Sequence, residues 1–182
     1  PISTTCRPIM MFAAEQGIPL DMQVVDLFTG EHTKAPYGAI NPNHLIPVLE
    51  DGDFQLTESS AIMKYLAEKA GSPLYPKDLQ QRARVNERMD WINTQFGREF
   101  CYGVVYPQIF PHHKRRSAEA QEATLQWGKE HAQRWLKVLD ENILGPGNNY
   151  LCGDSLTIAD FYGAAFLTLG EVVGCRFSDY PN

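Results

Sequence analysis

Short apolar runs alternate with turn-forming residues over the first 70 positions of the chain. Apolar side chains recur at helical spacing through residues 7–16 and stop at Gly17, which predicts a helix ended by a C-terminal glycine. Residues 22–27 are rich in valine and alternate weakly between apolar and polar, which predicts a β-strand. The pattern therefore begins with a helix and a strand.

A hairpin signal follows further along the chain. Residues 29–40 are predicted to form a loop that contains a short helix. Residues 46–50 and 54–56 flank an Asp-Gly turn, which is typical of a β-hairpin, and a helix is predicted to start near Ser59. The predicted order is helix, strand, loop, hairpin, helix. A strand–helix–strand unit also needs a strand before its first helix, so we expect that such a strand precedes Pro1 and is missing from this sequence.

Long helical patterns dominate after a break at residues 70–76, which predicts a linker between an α/β unit and an all-helical unit. A first helix is predicted to bend before Pro107. Its apolar positions, spaced three or four residues apart, are Val85, Met89, Ile92, Phe96, Phe100 and Val104. A second helix is predicted over residues 117–143.

A third helix is predicted to begin near Thr157. Thr157 and Asp160 have the spacing of a capping box, with Asp in place of the usual Glu. Leu156 and Phe161 occupy the flanking hydrophobic-staple positions. This motif carries folding information and no chemistry.

Composition narrows the classes of function. The chain has 182 residues, of which 43% are hydrophobic and 21% charged, as is typical of a folded globular protein. No stretch approaches the ~20 apolar residues of a bilayer span, and a net charge of −6 disfavours nucleic acid as the main partner. Four cysteines without a CxxC pair or zinc spacing indicate reduced thiols of a cytoplasmic protein, and no metal site is expected.

Five motifs, in this order, resemble cytosolic glutathione transferases that use serine, such as the theta class and its bacterial relatives. They are Ser3-Thr4-Thr5-Cys6-Arg7, residues 25–32, Asn41-Pro42 with Ile46-Pro47-Val48-Leu49, residues 56–62, and residues 157–161. The resemblance implies an α/β thioredoxin-like domain (βαβαββα, first strand missing) over residues 1–70. It further implies a linker over 71–80 and an all-α helical domain over 81–182, with its last helices expected after Asn182.

Ser3 stands just before the first helix, where the positive end of the helix dipole favours an anion. The resemblance implies that its hydroxyl hydrogen-bonds the glutathione sulfur and stabilises the thiolate. Lowering a thiol pKa by ~2 units from ~8.5 stabilises the thiolate by roughly 2.7 kcal/mol. The residues alone leave open an ordinary N-cap serine, and Thr4 and Thr5 are hydroxyls that could substitute. Cys6 is compatible with packing in the core or with a one-thiol redox role.

The resemblance also implies which residues hold the remainder of glutathione. Ile46, before a cis Pro47, is expected to pair with the cysteinyl backbone; a trans proline at an edge strand is the alternative. Glu58 offers a carboxylate to the γ-glutamyl ammonium group. Ser59, at a helix N-terminus, suits the γ-glutamyl carboxylate, although an ordinary capped helix also fits.

Two histidines are candidates for the glycyl carboxylate of glutathione. His32 matches a histidine of theta-like sequences. His44 lies beside Leu45, and Leu45 stands where many relatives carry a lysine. The sequence therefore departs from the family pattern at the glycine end, where His44 is the candidate substitute and an ordinary surface histidine is the alternative.

A hydrophobic electrophile is expected to lie against the helical domain, which is also expected to form part of a homodimer interface. Tyr102 and Tyr106 are the candidate pocket residues, and core packing is the alternative for this aromatic stripe. The predicted activity is transfer of glutathione, as co-substrate, to alkyl or aryl electrophiles, with no nucleic acid or membrane partner. The alternatives are a glutathione-dependent dehalogenase, a non-catalytic binding module and a monothiol reductase that works through Cys6.

Overall fold

The computed structural model describes residues 2–145 and 147–182. The helices and strands in the described residues are α1 Arg7–Glu15, α2 Ala35–Ile40, β1 Val48–Asp51, β2 Phe54–Thr57, α3 Ser59–Lys69, α4 Leu79–Trp91, α5 Gly97–Phe100, α6 Tyr106–Ile109, α7 Ala118–Val138 and α8 Ile158–Val172. Between and after them lie 3₁₀ turns at Glu31–Thr33 and Pro111–His113 and π-helical segments at Ile92–Phe96, Cys101–Val105 and Leu139–Leu144.

The first predicted helix is confirmed as α1. It ends at Gly17, whose φ of +64° is readily adopted by glycine, and the Ile18 N–H closes the turn by donating to the Ala13 carbonyl at 2.8 Å. Pro8 lies in the first turn, where a backbone N–H would have no partner within the helix. The buried side of α1 packs against α3 and α8.

Residues 22–27 do not form the predicted strand, so that prediction is wrong. A strand needs hydrogen bonds to a neighbour, and the sheet in the described residues consists of β1 and β2 alone. The valine alternation leaves one face in solvent, because Val24 is 86% exposed, while Leu27 packs against the core without strand pairing. Asp26 instead stabilises the following turn, where its carboxylate accepts from the N–H of Phe28 at 2.8 Å.

The predicted hairpin is confirmed. β1 and β2 pair antiparallel from Val48 opposite Thr57 to Asp51 opposite Phe54. Gly52, in the connecting turn, has a φ of +60°, which glycine adopts without a steric penalty. The short helix expected in the preceding loop is also present, as α2.

The first long helix of the second unit continues through Pro107 to Ile109. Proline is tolerated because it lies in the first turn of α6, after the π-helical segment Cys101–Val105. The six apolar positions of the predicted stripe are all buried. The ring of Phe96 stacks on that of Phe100, with 4.9 Å between the centroids.

α8 joins the two units, because it packs against α1 and α3 on one side and α4 on the other. Its N-terminus has the predicted capping box. The Asp160 carboxylate accepts from the Thr157 N–H at 2.7 Å and from the Leu151 N–H, also at 2.7 Å. The predicted class, a thioredoxin-like unit followed by an all-helical unit, is thereby confirmed.

Candidate functional site

Ser3 is buried at the start of α1, and its hydroxyl oxygen is held by the backbone. Ser3 Oγ accepts from the N–H of Cys6 at 3.1 Å and from the N–H of Thr5 at 3.3 Å, and it lies 3.0 Å from Thr5 Oγ1. The Ser3 carbonyl accepts from the Arg7 N–H at 3.1 Å. Ser3 therefore has the geometry of an N-cap and also places a hydroxyl at the positive end of α1.

Cys6 lies in the same turn but is poorly suited to a thiolate role. Burial raises the pKa of its thiol, and the nearby hydroxyls of Ser3 and Thr5 only partly offset this increase. A raised pKa keeps the sulfur protonated at neutral pH. The geometry thus favours the packing interpretation of Cys6 over the redox one.

The Ile46–Pro47 peptide bond is cis, as the sequence predicted. Thr5 Oγ1 donates to the Ile46 carbonyl at 3.1 Å. The turn formed by residues 3–6, called the Ser3 turn below, is therefore in direct contact with the turn at Ile46–Pro47. The Ile46 N–H has no hydrogen-bond partner within residues 2–145 and 147–182. A backbone donor beside the Ser3 turn is therefore open to an extended ligand.

Glu58 and Ser59 stand at the N-terminus of α3, with opposite environments. Glu58 is exposed, has a φ of +66° and forms no ion pair with any described residue. Ser59 is buried, with its hydroxyl 3.2 Å from the Tyr162 hydroxyl. Because Tyr162 donates its hydrogen to Asn93 Oδ1 at 3.1 Å, Ser59 is the donor in its contact with Tyr162.

Tyr162 and Asn93 were missed at the sequence level, since both lie in the second unit, far from Ser59 along the chain. No motif links them to Ser59, so only the folded structure could identify this contact. Burial, first of all, raises the pKa of Tyr162 to about 12, and the phenol therefore stays protonated as the donor to Asn93.

The structure brings His32 and His44 together. His44 Nδ1 lies 2.8 Å from the His32 carbonyl oxygen. His32 is buried, and its Nδ1 has no hydrogen-bond partner in the described part of the chain. The Leu45 side chain is exposed, while its carbonyl accepts from the Tyr37 hydroxyl at 2.8 Å and from Asn41 Nδ2 at 2.7 Å. Leu45 thus fixes the loop through its backbone.

Two histidines of the second unit complete a histidine cluster, defined here as His32, His44, His112 and His113. The ring centroids of His32 and His112 are 4.9 Å apart, and those of His112 and His113 are 4.5 Å apart. Burial, followed by the charges of His112 and His44, lowers the pKa of His32. Burial, followed by the charges of His112, Arg115 and His32, lowers the pKa of His113 to about 4.

The two candidate pocket tyrosines differ in exposure. Tyr106 is buried, and its hydroxyl hydrogen-bonds the Thr4 hydroxyl in the Ser3 turn. Tyr102 is 47% exposed, with its ring 4.8 Å from that of Tyr106. Burial raises the pKa of Tyr102, and the charges of Cys101 and Glu58 add to this effect, so Glu58 lies within electrostatic reach. Of the two tyrosines, Tyr102 is therefore the one whose ring is open to solvent.

Tyr102 borders a cleft between the long helix and α7. This cleft, of about 470 Å³, is lined by Arg98, Tyr102, Gly103, Arg115, Ala123, Thr124 and Trp127. A larger cleft, of about 720 Å³, lies away from Ser3, along residues 114–118 and the first half of α7. Tyr102 connects the smaller cleft to the Ser3 turn, because its ring contacts that of Tyr106 and the Tyr106 hydroxyl hydrogen-bonds Thr4.

Within the described residues, no cluster of three or more His, Cys, Asp or Glu side chains has the geometry to hold a metal ion. None of the helices described combines the length and apolar character that crossing a bilayer requires.

Two family models match the chain, and together they cover most of it. The model for the glutathione S-transferase N-terminal domain matches residues 2–69, and the model for the C-terminal domain matches residues 100–182.

Individual relatives agree with the family models. Human glutathione S-transferase theta-1 is 33% identical over 177 residues, which are 96% of this chain and 72% of that protein. Human glutathione S-transferase theta-2B is 38% identical over 169 residues, which are 87% of this chain and 64% of that protein. A solved structure of human glutathione transferase theta-2, in complex with glutathione and an unknown ligand, superposes with a TM-score of 0.81 at 33% identity. That superposition covers 99% of this chain and 73% of that one.

These matches confirm the resemblance noted in the sequence. The chain belongs to the glutathione S-transferase family, and human theta-class members are among its relatives.

Proposed function

We propose that this protein binds glutathione in its first unit and uses the Ser3 hydroxyl to hold the sulfur as a thiolate. The observation that carries this proposal is the position of Ser3 Oγ, fixed by two backbone N–H groups at the N-terminus of α1. A hydroxyl oxygen that accepts two hydrogen bonds is a stronger donor through its own hydrogen. The dipole of α1 adds to the stabilisation of a nearby anion.

The thiolate then attacks an electrophilic carbon. A sulfur–carbon bond forms from the sulfur lone pair. In a substitution, a leaving group departs with the electrons of its bond to that carbon; in a conjugate addition, the π electrons of the double bond shift to its electron-withdrawing group, and solvent supplies a proton. The thiol proton has already been released to solvent. Catalysis consists of nucleophile activation and positioning, without a metal.

The remaining contacts to glutathione follow the charges of the tripeptide. Glu58 pairs with the γ-glutamyl ammonium group, and the N-terminus of α3 at Ser59 receives the γ-glutamyl carboxylate. Ile46 offers its free N–H to the cysteinyl carbonyl. His32 and His44 receive the glycyl carboxylate, and the unpartnered Nδ1 of buried His32 supports this assignment.

The second substrate is a hydrophobic electrophile that contacts the ring of Tyr102, in the cleft beside the long helix. Tyr106 packs against the ring of Tyr102 and is held in place by the hydrogen bond between its hydroxyl and that of Thr4. Tyr102→Ala is expected to raise KM for the electrophile while KM for glutathione stays within about twofold of the wild type, because the contacts to glutathione lie elsewhere.

We also propose a cytoplasmic homodimer. All four cysteines are free thiols, which suits a reducing compartment. Exposed apolar side chains such as Phe54 and Leu79 are available to an interface. Sedimentation equilibrium should give twice the monomer mass, and a monomer at micromolar concentration would exclude the dimer.

Calorimetric titration with glutathione, followed by a panel of electrophiles, tests the function. We expect glutathione to bind and Ser3→Ala to retain binding but lose most of its turnover. Halide release confined to small haloalkanes would indicate the dehalogenase. Binding without turnover of any electrophile would indicate a non-catalytic module.

A further inference from the structure

Among the described residues, the Ser3 hydroxyl has a partner for its hydrogen and for each of its lone pairs. A hydroxyl oxygen has two lone pairs and one hydrogen. Both lone pairs of Ser3 Oγ are occupied, by the N–H groups of Cys6 at 3.1 Å and Thr5 at 3.3 Å. The only capacity that remains is the Ser3 hydrogen, and the nearest hydroxyl is Thr5 Oγ1 at 3.0 Å.

The neighbouring contact fixes the direction of this bond. Thr5 Oγ1 lies 3.1 Å from the Ile46 carbonyl oxygen, which can only accept. Thr5 has a single hydroxyl hydrogen, and it goes to Ile46. Thr5 must therefore accept from Ser3, and the hydrogens run in one direction, from Ser3 to Thr5 to Ile46.

We propose that Thr5 is a positioning residue that holds the Ser3 hydrogen when no ligand is bound and competes with the glutathione sulfur for it. This inference rests on the proposed function of Ser3. When the thiolate arrives, the Ser3 hydrogen rotates from Thr5 Oγ1 to sulfur, while the two backbone N–H bonds keep the oxygen in place. The free energy by which Ser3 stabilises the thiolate is then the difference between its hydrogen bond to sulfur and its hydrogen bond to Thr5 Oγ1. Thr5 therefore keeps the thiol pKa higher than Ser3 alone would.

The titratable groups that face this turn stay protonated at neutral pH. Burial raises the pKa of the Cys6 thiol and raises that of Tyr37 to about 12, with the Cys6 charge as a smaller cause. Burial also raises the pKa of Tyr106, which contacts the turn through Thr4. The Cys6 thiol and the two phenols therefore do not ionise alongside the glutathione thiol in the neutral range.

The test is the pH dependence of thiolate absorbance in the glutathione complex of Thr5→Val, which keeps the shape and removes the hydroxyl. We expect the pKa of the bound thiol to fall by about 0.5 unit, which is roughly threefold more thiolate below the pKa, since a competing acceptor has been removed. Thr5→Ser restores the acceptor and should give the wild-type pKa. Thr94→Val, an exposed threonine on the long helix, is the matched control and should also give the wild-type value.

A second background tests whether Thr5 acts through Ser3. In a Ser3→Ala background, Thr5→Val should leave the thiol pKa unchanged, because the competition acts through Ser3. An unchanged or increased thiol pKa in Thr5→Val alone, or an equal shift in both backgrounds, would overturn it. If wild-type protein forms no glutathione thiolate, the proposed function itself fails, which is distinguishable from failure of the Thr5 effect.

Discussion

Glu58 combines an unfavourable backbone conformation with a charge at the candidate site. Its φ of +66° is rarely adopted by residues other than glycine, and such conformations cost on the order of 1–3 kcal/mol. Its carboxylate is exposed at the N-terminus of α3. Strain at a residue that forms no ion pair among the described residues is consistent with a binding role, in which the backbone serves to orient the side chain.

Glu58→Gly is therefore expected to stabilise the protein while weakening glutathione binding. Glycine relieves the backbone strain but increases the entropy of the unfolded chain, so the net gain in unfolding free energy should be roughly 1 kcal/mol. Loss of the ammonium contact should weaken glutathione binding about tenfold. Chemical denaturation and calorimetry measure the two effects. Glu58→Gln keeps the strain and should lose affinity without gaining stability. A Glu58→Gly protein that is less stable would contradict the strain argument.

Among the helices, the backbones of two segments approach each other closely at Gly103 and Gly128. A Cβ added to Gly128 on α7 would lie 2.4 Å from the Gly103 carbonyl carbon, closer than any real contact. The two segments pack so closely because neither glycine has a side chain. This contact holds α7 against the π-helical segment Cys101–Val105, which also carries Tyr102.

Gly128→Ala is expected to lower the unfolding free energy by about 2 kcal/mol, because overpacking outweighs the higher helix propensity of alanine. Denaturant titration measures the change. Gln133→Ala, at an exposed position of the same helix, should stay within about 0.5 kcal/mol of the wild type. Equal or greater stability of Gly128→Ala would show that the helices can separate at no cost.

Elements with local signals could be predicted from the sequence. Gly17 and the Thr157–Asp160 pair encode a helix end and a helix start within a few residues, and the Asp-Gly turn encodes its hairpin. The strand predicted at residues 22–27 does not form, and its local sequence could not show this, since a strand exists only through hydrogen bonds to a partner. The long-range part of the site was equally hidden, because Tyr162 meets Ser59, and His112 meets His32, only in the folded chain.

For the molecule as a whole, the histidine cluster, which joins the two units, makes the unfolding free energy depend on pH. His113 in the second unit and His32 in the first both have a lowered pKa in the folded state. Below the ordinary histidine pKa of ~6.5 the unfolded chain therefore binds more protons than the folded one, so stability falls as the pH falls.

We expect the unfolding free energy contributed by His113 to be lost between pH ~6.5 and about 4, the lowered pKa of this histidine. Because the ring is only partly buried and is screened by solvent, the loss should be roughly 1–2 kcal/mol. Denaturation across this pH range in wild type and His113→Gln measures it, and the variant should show a smaller slope. His131→Gln, on α7 outside the cluster, should keep the wild-type slope. A wild-type slope in His113→Gln would rule out this origin.

If Ser3 stabilises the glutathione thiolate, as we propose, then the pKa of the bound thiol depends on the Ser3 hydroxyl. Ultraviolet absorbance of the thiolate, followed against pH, gives this pKa in the wild type and in Ser3→Ala. We predict a pKa of about 6.5 in the wild-type complex and an increase of about 2 units, to the ~8.5 of a free thiol, in Ser3→Ala. The same thiol pKa in both complexes would show that Ser3 does not stabilise the thiolate.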